Sequence, residues 1–345
     1  MKVYEITVKP VSGFGTPLKG DTIFGHFCWQ IAYDKALVRS SIDAILSSYH
    51  TMPFAVFSSA YPKLCIGTQY HYVLRTPSLP IEKIFTLPDS KCERIRTRKA
   101  YKSKVWMVVP EGGKFSSLKE LEFLSDQELL DRARANVSEE TKRHMRRRLR
   151  GNFTEDFRQF HNTIDRLTGT TGEGRFVPFM AEQRVYYPET ELAVFVGIDE
   201  TVLSIEQVMT GLQRIGDLGF GRDASTGCGR FEICDECEIN LSEMGSGAPN
   251  ACYTLGPCVP ENDTFTEMLF TPFTRFGRHG DVLAKSVNPF KNPIIMADEG
   301  GVFKPKIRDV FKKPYIGSAV RGISKAQSEA VSQGYSLYIP VNVEV

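Results

Sequence analysis

The sequence predicts an α+β protein with a ferredoxin-like (RRM-like) N-terminal domain and a second, β-rich domain. Three observations lead to this prediction. Alternating, strand-like patterns begin and end the N-terminal part. One helical pattern follows its first strand and another precedes its last strand, and a long polar segment separates its two halves. The predicted order is therefore β-α-β-β-α-β with an insertion in the middle, and 345 residues are enough for two domains.

The first strand, loop and helix are predicted near the N-terminus. VYEITVKP (3–10) alternates as a strand does, and GFGTPLKG (13–20) is typical of a loop. The following segment, DTIFGHFCWQIAYDKAL, has apolar residues at helical spacing, with Asp21 or Thr22 as the expected N-cap. Gly25 costs this helix about 1 kcal/mol relative to alanine, which indicates that a neighbour packs closely against it.

The rest of the N-terminal domain, which we place at 1–240, continues this order. Its remaining elements are a strand or hairpin at 53–75, a long insertion at about 76–183 with one polar helix, a strand at 191–199, a helix at 205–216 and a strand at 230–239. Proline, serine and basic residues dominate the insertion. We therefore expect the insertion to lie outside the core.

The second domain is predicted at 252–345, after a linker at 244–251. Proline, glycine and β-type runs fill it, and a degraded ferredoxin-like copy is one interpretation. Its final segment, GYSLYIPVNVEV, alternates as a strand through Val345. Pro340 indicates an edge strand, because proline has no N–H to donate to a neighbour.

Charge is concentrated locally rather than overall. The net charge is only +2, but KCERIRTRKAYKSK (91–104) holds seven basic residues and one acid, and TKRHMRRRLR (141–150) holds six basic residues and no acid. Such runs are often solvated surface. Two of them near each other favour a partner with a phosphate backbone.

Other features of the sequence exclude several classes of protein. The segment MKVYEITVKP is not a signal sequence and no run of 18 apolar residues occurs, so we expect a soluble, cytoplasmic protein without a membrane partner. The eight cysteines are expected to be thiols. Cys234 and Cys237 form a CxxC pair, but the spacing of Cys252 and Cys258 is poor for zinc, so no metal or cofactor is expected and a zinc site at the CxxC pair stays open.

A glycine-rich stretch, LGFGRDASTGCGRFEI (218–233), follows the second helix and precedes a strand. A dinucleotide-binding loop has the order strand, loop, helix, and a Walker loop has a lysine after its glycines, so neither is present. Because glycine has no side chain, a polyanion can come close to the main-chain N–H groups of such a loop. Arg222 and Arg230 favour binding of a polyanion here. Asp223 is expected to point away or to pair with Arg222. The alternative is a loop whose glycines serve only tight turns.

Three motifs in this order resemble a known family. They comprise Thr22, Ile23, Phe24, Gly25 and Trp29 near the N-terminus, Gly219, Gly221, Ser225, Gly227, Gly229, Arg230 and Phe231 in the glycine-rich stretch, and Gly334, Tyr335, Pro340 and Val341 near the C-terminus. The combination resembles the RAMP superfamily of CRISPR proteins. More narrowly, it is similar to the Csm-type subunit that binds the crRNA 5′ tag in type III-A effector complexes.

The resemblance implies a non-catalytic RNA-binding subunit of a ribonucleoprotein complex in antiviral defence. Its expected partners are the crRNA 5′ tag, the large polymerase-like subunit and a backbone RAMP subunit. It would meet target RNA only indirectly, through a thumb hairpin in the insertion. The candidate RNA-binding residues are Gly20, Thr22, Arg94, Arg96, Arg98, Lys99, His161, Asn162, Arg166, Gly219, Gly221, Arg222, Ser225, Thr226, Gly227, Gly229 and Arg230.

Alternative functions remain open from the sequence. The chain could be the equivalent subunit of a type III-B or III-D complex, a protein–protein adaptor, or a RAMP endoribonuclease that processes crRNA precursors. His26, His71 and His161 are the candidate general acids or bases for an endoribonuclease. His161 lies beside Asn162 and Arg166, a cluster better suited to holding sugar and phosphate, so we expect no enzymatic activity.

Overall fold

The computed structural model describes residues 1–145, 152–172 and 174–343. Its strands are β1 (Lys2–Pro10), β2 (Ala55–Ile66), β3 (Gln69–Arg75), β4 (Lys104–Pro110), β5 (Glu122–Ser125), β6 (Thr154–His161), β7 (Phe179–Tyr186), β8 (Glu191–Ile198), β9 (Phe231–Ile239), β10 (Ala251–Thr254), β11 (Phe265–Leu269), β12 (Pro272–Arg275), β13 (Ile294–Ala297), β14 (Val302–Pro305), β15 (Tyr315–Gly317) and β16 (Tyr335–Val341). Its α-helices are α1 (Gly20–Tyr33), α2 (Ile42–Ser48), α3 (Ile81–Ile84), α4 (Lys91–Lys102), α5 (Asp126–Asn136), α6 (Glu139–Met145), α7 (Ile205–Leu218) and α8 (Leu241–Met244).

A large antiparallel sheet organises the chain. Its strand order is β5-β4-β3-β2-β8-β1-β9. The four strands β2-β8-β1-β9 come from two segments, β1-α1-β2 and β8-α7-β9, and β1 pairs with both β8 and β9. The class is mixed α/β with large antiparallel sheets, as the alternating patterns predict.

Helices α1 and α7 pack against each other and against this sheet. Buried residues of α1 recur at helical spacing, and α7 begins with a capping box formed by Ser204 and Gln207. The Phe27 ring lies against Gly211, where an added Cβ would come within 2.4 Å of it. The predicted N-cap of α1 was wrong: the helix begins at Gly20, Lys19 is its N-cap residue, and Asp21 instead pairs with Arg275.

Part of the segment 76–183 belongs to the core, contrary to expectation. Strands β4 and β5 extend the large sheet, and Met107, Val109 and Phe123 belong to the main hydrophobic cluster. The predicted polar helix is divided into α5 and α6, because Val137 between them is buried in a second cluster. The rest of the second basic run, residues 146–150, lies outside the described residues. Only the antiparallel β6–β7 hairpin forms a separate two-stranded sheet within the described part of this segment.

A second sheet, with the order β11-β14-β10-β16-β15, carries the C-terminal part. Tyr253, Leu337 and Ile339 of this sheet lie in the same hydrophobic cluster as the large sheet. The division of the chain into two domains, 1–240 and 252–345, stays a prediction. Residues 245–250 join α8 to β10. None of the helices in the described part of the chain is both long and apolar enough to cross a membrane.

The predicted edge position of the terminal strand was wrong. β16 pairs with β10 on one side and β15 on the other. Strand β15 pairs only as far as Leu337, so Pro340 extends beyond it, and the Pro340 carbonyl accepts a hydrogen bond from Ser246 N–H at 2.9 Å. The proline is tolerated because its missing N–H faces a locally unpaired side of a central strand. Residue Val345 lies outside the described residues.

A bulge in β2 joins the two parts of the protein. Its register shifts between Phe57 and Ala60, which frees backbone groups of Phe57 from the sheet. The fully buried Gln333 side chain accepts from Phe57 N–H at 2.9 Å and donates to Phe57 O at 2.7 Å. The amide of Ser59 donates to Leu255 O at 2.8 Å. Side-chain and main-chain groups of the C-terminal part therefore satisfy the bulge.

We predict that Gln333→Leu destabilises the fold by about 2–4 kcal/mol, because it leaves a buried donor and a buried acceptor of Phe57 without partners. Chemical denaturation measures the change. Gln159→Leu on the exposed surface of β6 is the matched control and should change stability by less than about 0.5 kcal/mol. Equal stability of Gln333→Leu and wild type would contradict this account of the bulge.

Candidate nucleic-acid interface

The glycine loop (residues 219–229) is a compact, internally bonded turn. It leaves α7 and enters β9, as the sequence predicts. At Gly229, with φ +76°, an added Cβ would lie 2.1 Å from Phe220 O, so only glycine fits. At Gly227, with φ +95°, no described protein atom outside the neighbouring residues lies within 4 Å of that position. The glycines therefore have different roles, and Gly227 faces outward.

Most main-chain N–H groups of the loop already have acceptors within the protein. The bonds run from Phe220 to Gly229 O (2.9 Å), Gly221 to His26 Nε2 (3.2 Å), Arg222 to Thr16 Oγ1 (3.0 Å), Thr226 to Asp223 O (3.0 Å), Gly229 to Gly13 O (2.8 Å) and Arg230 to Ser12 Oγ (2.9 Å). Among the described residues, the amides of Asp223, Ala224 and Ser225 have no acceptor. The main-chain N–H groups that are free to bind a ligand are therefore confined to this outer turn, residues 223–225.

Three segments that the sequence singles out separately meet at this loop. The N-terminal loop (residues 11–19) lies against it so closely that a Cβ on Gly15 would come within 2.6 Å of Arg222 O. The base of the β6–β7 hairpin joins them, because Phe14 and Arg184 exchange two main-chain hydrogen bonds of 2.8 Å. The glycine loop, the N-terminal loop and the hairpin base form one continuous surface.

The two arginines of the glycine loop are in different situations. Arg222 pairs with Asp223 at 3.2 Å, which is one of the two outcomes expected for this aspartate, and it also donates to Glu182 O on the hairpin. Arg222 therefore helps to hold the hairpin against the loop. Arg230 is exposed, and its guanidinium has no ion-pair partner among the described residues. Arg230 is the freer of the two to contact a phosphate.

A cleft of about 760 Å³ beside this surface was missed from the sequence. Its cationic lining residues are Lys19, Arg75, Lys102, Lys104 and Arg184. The Arg75 guanidinium lies 4.2 Å from the centre of the Trp106 ring, and the buried Tyr61 hydroxyl has no hydrogen-bond partner among the described residues. Cations beside aromatic rings are the chemistry by which proteins hold single-stranded nucleic acid.

Two adjacent carboxyl groups line the same cleft. The Lys19 ammonium contacts Asp298 and lies 3.0 Å from Glu299. Burial, and then the hydrogen bond with Asp298, hold the pKa of Glu299 above its usual value. Burial also acts to raise the pKa of Asp298, but hydrogen bonds from Glu299 and Lys19 outweigh it and lower that pKa. Lys19 and Arg75 place two positive charges beside these two carboxyl groups, so this part of the cleft has no large net negative charge.

The first basic run forms α4, a helix that the sequence analysis did not predict. None of its residues is buried, and the Tyr101 ring stacks on Phe85 with centroids 4.0 Å apart. Arg94 and Arg98 lie four residues apart on one face, and Arg98 pairs with Glu82. Arg96 lies about 200° around the helix from Arg98, and Lys99 about 100°. The structure therefore divides the four candidate basic residues between different faces.

The hairpin candidates lie away from the glycine loop. His161 ends β6, and its ring stacks on Phe179 with centroids 5.2 Å apart, while Asn162 and Arg166 follow in the exposed tip. Phe179 is four strand residues, about 13 Å, from Gln183, which contacts the loop at Cys228. These three residues are therefore not brought together with the glycine loop.

The remaining candidates have structural partners. Gly20 is buried, and an added Cβ would lie 2.1 Å from Phe57 O, so packing alone accounts for this glycine. The Thr22 hydroxyl donates to Lys19 O at 2.7 Å. Thr226 Oγ1 donates to Asp223 O at 2.8 Å, and Ser225 is exposed in the same turn.

The candidate catalytic histidines occupy three separate places. His26 accepts from the glycine loop, His71 lies on β3 with Nδ1 3.0 Å from Gln69 O, and His161 lies at the hairpin tip. Among the described residues, no group of three or more histidine, cysteine, aspartate or glutamate side chains could hold a metal ion. Cys234 and Cys237 are exposed on β9, where a bulge at Cys234 interrupts the pairing with β1.

Solved structures provide the comparison. A chain in the crystal structure of the Csm3–Csm4 subcomplex in the type III-A CRISPR–Cas interference complex is similar over 99% of this chain and 100% of its own, with TM-score 0.53 and 14% identity. Chains in crystal structures of the Csm1–Csm4 cassette in complex with pppApA and with cA4 give TM-scores of 0.51 and 0.50 at 14% and 16% identity. They cover 100% and 99% of this chain, and 99% and 98% of their own.

No protein-family model matches the chain, and no curated protein matches it either. At identities of 14–16% the similarity to solved structures shows the fold. The predicted resemblance to a Csm-type RAMP protein is confirmed at that level.

We predict that His26 makes stability fall in acid. Burial, and then the nearby Lys291 charge, lower the pKa of His26 from 6.5 to about 4, and its Nε2 accepts the Gly221 N–H. The unfolded chain therefore binds a proton that the folded chain excludes, so this stability is complete above pH 6.5 and is lost as pH falls towards 4. The loss is about 2–3 kcal/mol after allowance for partial exposure of the ring.

Denaturation of wild type and His26→Gln at several pH values measures this effect. A glutamine at position 26 can still accept a hydrogen bond from the Gly221 N–H, but it does not titrate. The stability of the His26→Gln variant should therefore change less than that of wild type between pH 6.5 and 4. His71→Gln is the control and should follow wild type. Parallel pH curves for wild type and His26→Gln would show that folding does not change the pKa of His26 and would contradict this prediction.

Proposed function

We propose that this chain is a non-catalytic RNA-binding subunit of a type III CRISPR effector complex, in which it binds the repeat-derived 5′ tag of the crRNA. One observation carries the proposal. The glycine loop, the N-terminal loop and the hairpin base form one surface beside a cleft lined by five cationic side chains. The fold is that of chains in Csm complexes, which supports the same function.

The chemistry of this surface suits a single strand. Lys102 in the cleft and Arg230 beside the glycine loop have no carboxylate partner among the described residues, so they are available for phosphates. The Arg75 guanidinium, which is stacked on the buried Trp106 ring, offers a planar cationic group for an unstacked base. The outer turn at 223–225 offers main-chain donors. An adaptor with glycines only for turns would need none of these groups.

The finer assignments extend this proposal. The strand order β2-β8-β1-β9 favours treating β1-α1-β2 and β8-α7-β9 as one ferredoxin-like unit. The β6–β7 hairpin, with exposed Phe157 and Phe160, is the proposed thumb that meets the guide–target duplex. The large polymerase-like subunit and a backbone RAMP subunit are the proposed protein partners, and type III-A is the proposed subtype.

Repeat RNA tests the proposal directly. The pure chain should bind it and leave it uncut, because His26, His71 and His161 do not share a site with one another. His161→Ala should weaken binding by about 1–3 kcal/mol at most. In an assembled complex, excess RNA should restore its catalytic output. A defined cut in the repeat, reduced by a hundredfold or more in His161→Ala, would identify an endoribonuclease instead.

We predict that Gly227→Leu weakens tag binding while the fold persists, because residue 227 faces outward and a large side chain would keep the RNA backbone at a distance. Gly227→Ala has the same positive φ and is the matched control, which should bind more tightly than the leucine variant. Gly221→Leu should instead destabilise the protein, because a Cβ there would lie 2.5 Å from Thr16 Cβ. Equal RNA affinity of the two Gly227 variants would contradict close RNA approach at this position.

We predict that changing Arg94, Arg96, Arg98 and Lys99 together to alanine lowers RNA affinity. The slope of log affinity against log salt should become shallower by about one unit for each phosphate that these side chains no longer bind. Arg94→Ala with Arg98→Ala should account for more of the change than Arg96→Ala, which removes charge from another face. If the slope of the quadruple variant equals that of wild type, α4 is a solvated helix that does not bind RNA.

A further inference from the structure

A second pocket, of about 200 Å³, lies on the side of α1 away from the large sheet. Gly25, Cys28, Trp29 and Ala32 line it from α1 at helical spacing, which identifies one face of the helix. Ile42 and Leu46 of α2, with Leu283 and Val331 from the C-terminal part, supply further apolar walls. None of these residues belongs to the cleft or to the glycine loop.

Gly25 has no packing explanation. Glycine weakens a helix relative to alanine, and the expected close neighbour does not exist among the described residues. No described protein atom, other than the adjacent residues and the helix backbone, lies within 4 Å of the position of an added Cβ. A side chain on residue 25 would project into the pocket. The glycine therefore keeps the pocket open at some expense of helix stability.

Lys291 brings a positive charge into the lining of this pocket. No carboxylate lies within ion-pair distance of it among the described residues, and burial lowers the pKa of this lysine. The carboxylate of Asp21 acts on Lys291 only electrostatically, because Arg275 already binds both Asp21 oxygens at 2.6 and 2.9 Å. A largely buried cation without a partner is unfavourable, and an anion at its side would compensate for it.

Other basic groups lie near Lys291. His279 also lines the pocket, with its Nε2 2.6 Å from Ser324 Oγ, and burial followed by the Lys291 charge lowers its pKa. The same lysine acts on His26, which lies next to Gly25 on α1. Two basic residues of the lining, Lys291 and His279, therefore lie near each other, and Asp43 and Glu329 add carboxylates to the same lining.

We propose that this pocket binds a single carboxylate carried on a short apolar group, with the carboxylate at Lys291 and His279 and the apolar group against Trp29. The volume admits a ligand of side-chain size. A nucleic-acid strand is a worse fit, because its successive phosphates would meet Asp43 and Glu329. The ligand is either a free carboxylic acid or an acidic side chain of another subunit. This proposal does not depend on RNA binding.

Hexanoate is the probe, and Trp29 is the reporter. The chain has two tryptophans, so Trp106→Phe leaves Trp29 as the only one. Hexanoate should change Trp29 fluorescence saturably in the millimolar range, and neutral hexanol should bind at least about tenfold more weakly. Equal binding of hexanol, or no saturable change with hexanoate, would overturn the proposal.

Two variants in this background separate binding from folding. Lys291→Met should weaken hexanoate binding at least about tenfold while its melting temperature is unchanged or higher, because an unpaired buried charge is removed. Gly25→Leu should fill the pocket and also abolish binding. Full hexanoate affinity in both variants would overturn the proposal, and so would displacement of hexanoate by repeat RNA, which would assign the pocket to RNA.

An experiment on the assembled complex distinguishes a free carboxylic acid from an acidic side chain of another subunit. If another subunit inserts an acidic side chain, assembly should abolish the hexanoate response of Trp29. If the ligand is a free acid, the response should persist in the complex. Both results require the pocket to bind hexanoate in the isolated chain.

Discussion

The close approach of the α1 N-terminus to the bulge in β2 is the constraint on which the rest of the structure depends. Gly20 packs against Phe57 O so tightly that no larger residue fits. The residues on either side of it then face the C-terminal part: Lys19 binds Asp298 and Glu299, and Asp21 binds Arg275. A short stretch of main chain therefore sets the position of both sheets and of the cleft between them.

The same helix fixes the glycine loop. His26 accepts the Gly221 N–H, and Phe27 fills the space beside Gly211 of α7. The N-terminal loop that leads into α1 supplies further partners, so most amides of the glycine loop serve the protein rather than a ligand. This explains why so many glycines are needed: main chain packs directly on main chain. The outer turn, Gly227 and Arg230 are the parts of the loop that remain for the proposed contact with RNA.

Much of the fold follows from local patterns. Strands β1, β8 and β9, helix α7 and the glycine loop have strong periodicity or turn chemistry, and the structure has them at the predicted positions. Helix α4 was missed because it buries no residue and so has no apolar stripe. The cleft was missed because Lys19, Arg75 and Trp106 come from distant segments. Pro340 led to a wrong prediction of an edge strand for a related reason. Only the structure shows that the neighbouring strand β15 ends before Pro340, so that a proline fits in a central strand.

The RNA that co-purifies with the chain tests the central claim most directly. The chain is expressed with a CRISPR array, isolated, and the 5′ ends of the bound RNA are sequenced. The account predicts that most bound molecules share one 5′ end and begin with the same repeat-derived tag, and that Gly227→Leu recovers fewer of them than Gly227→Ala. Bound RNA with random cellular sequences, or no bound RNA above the background of a salt wash, would contradict it.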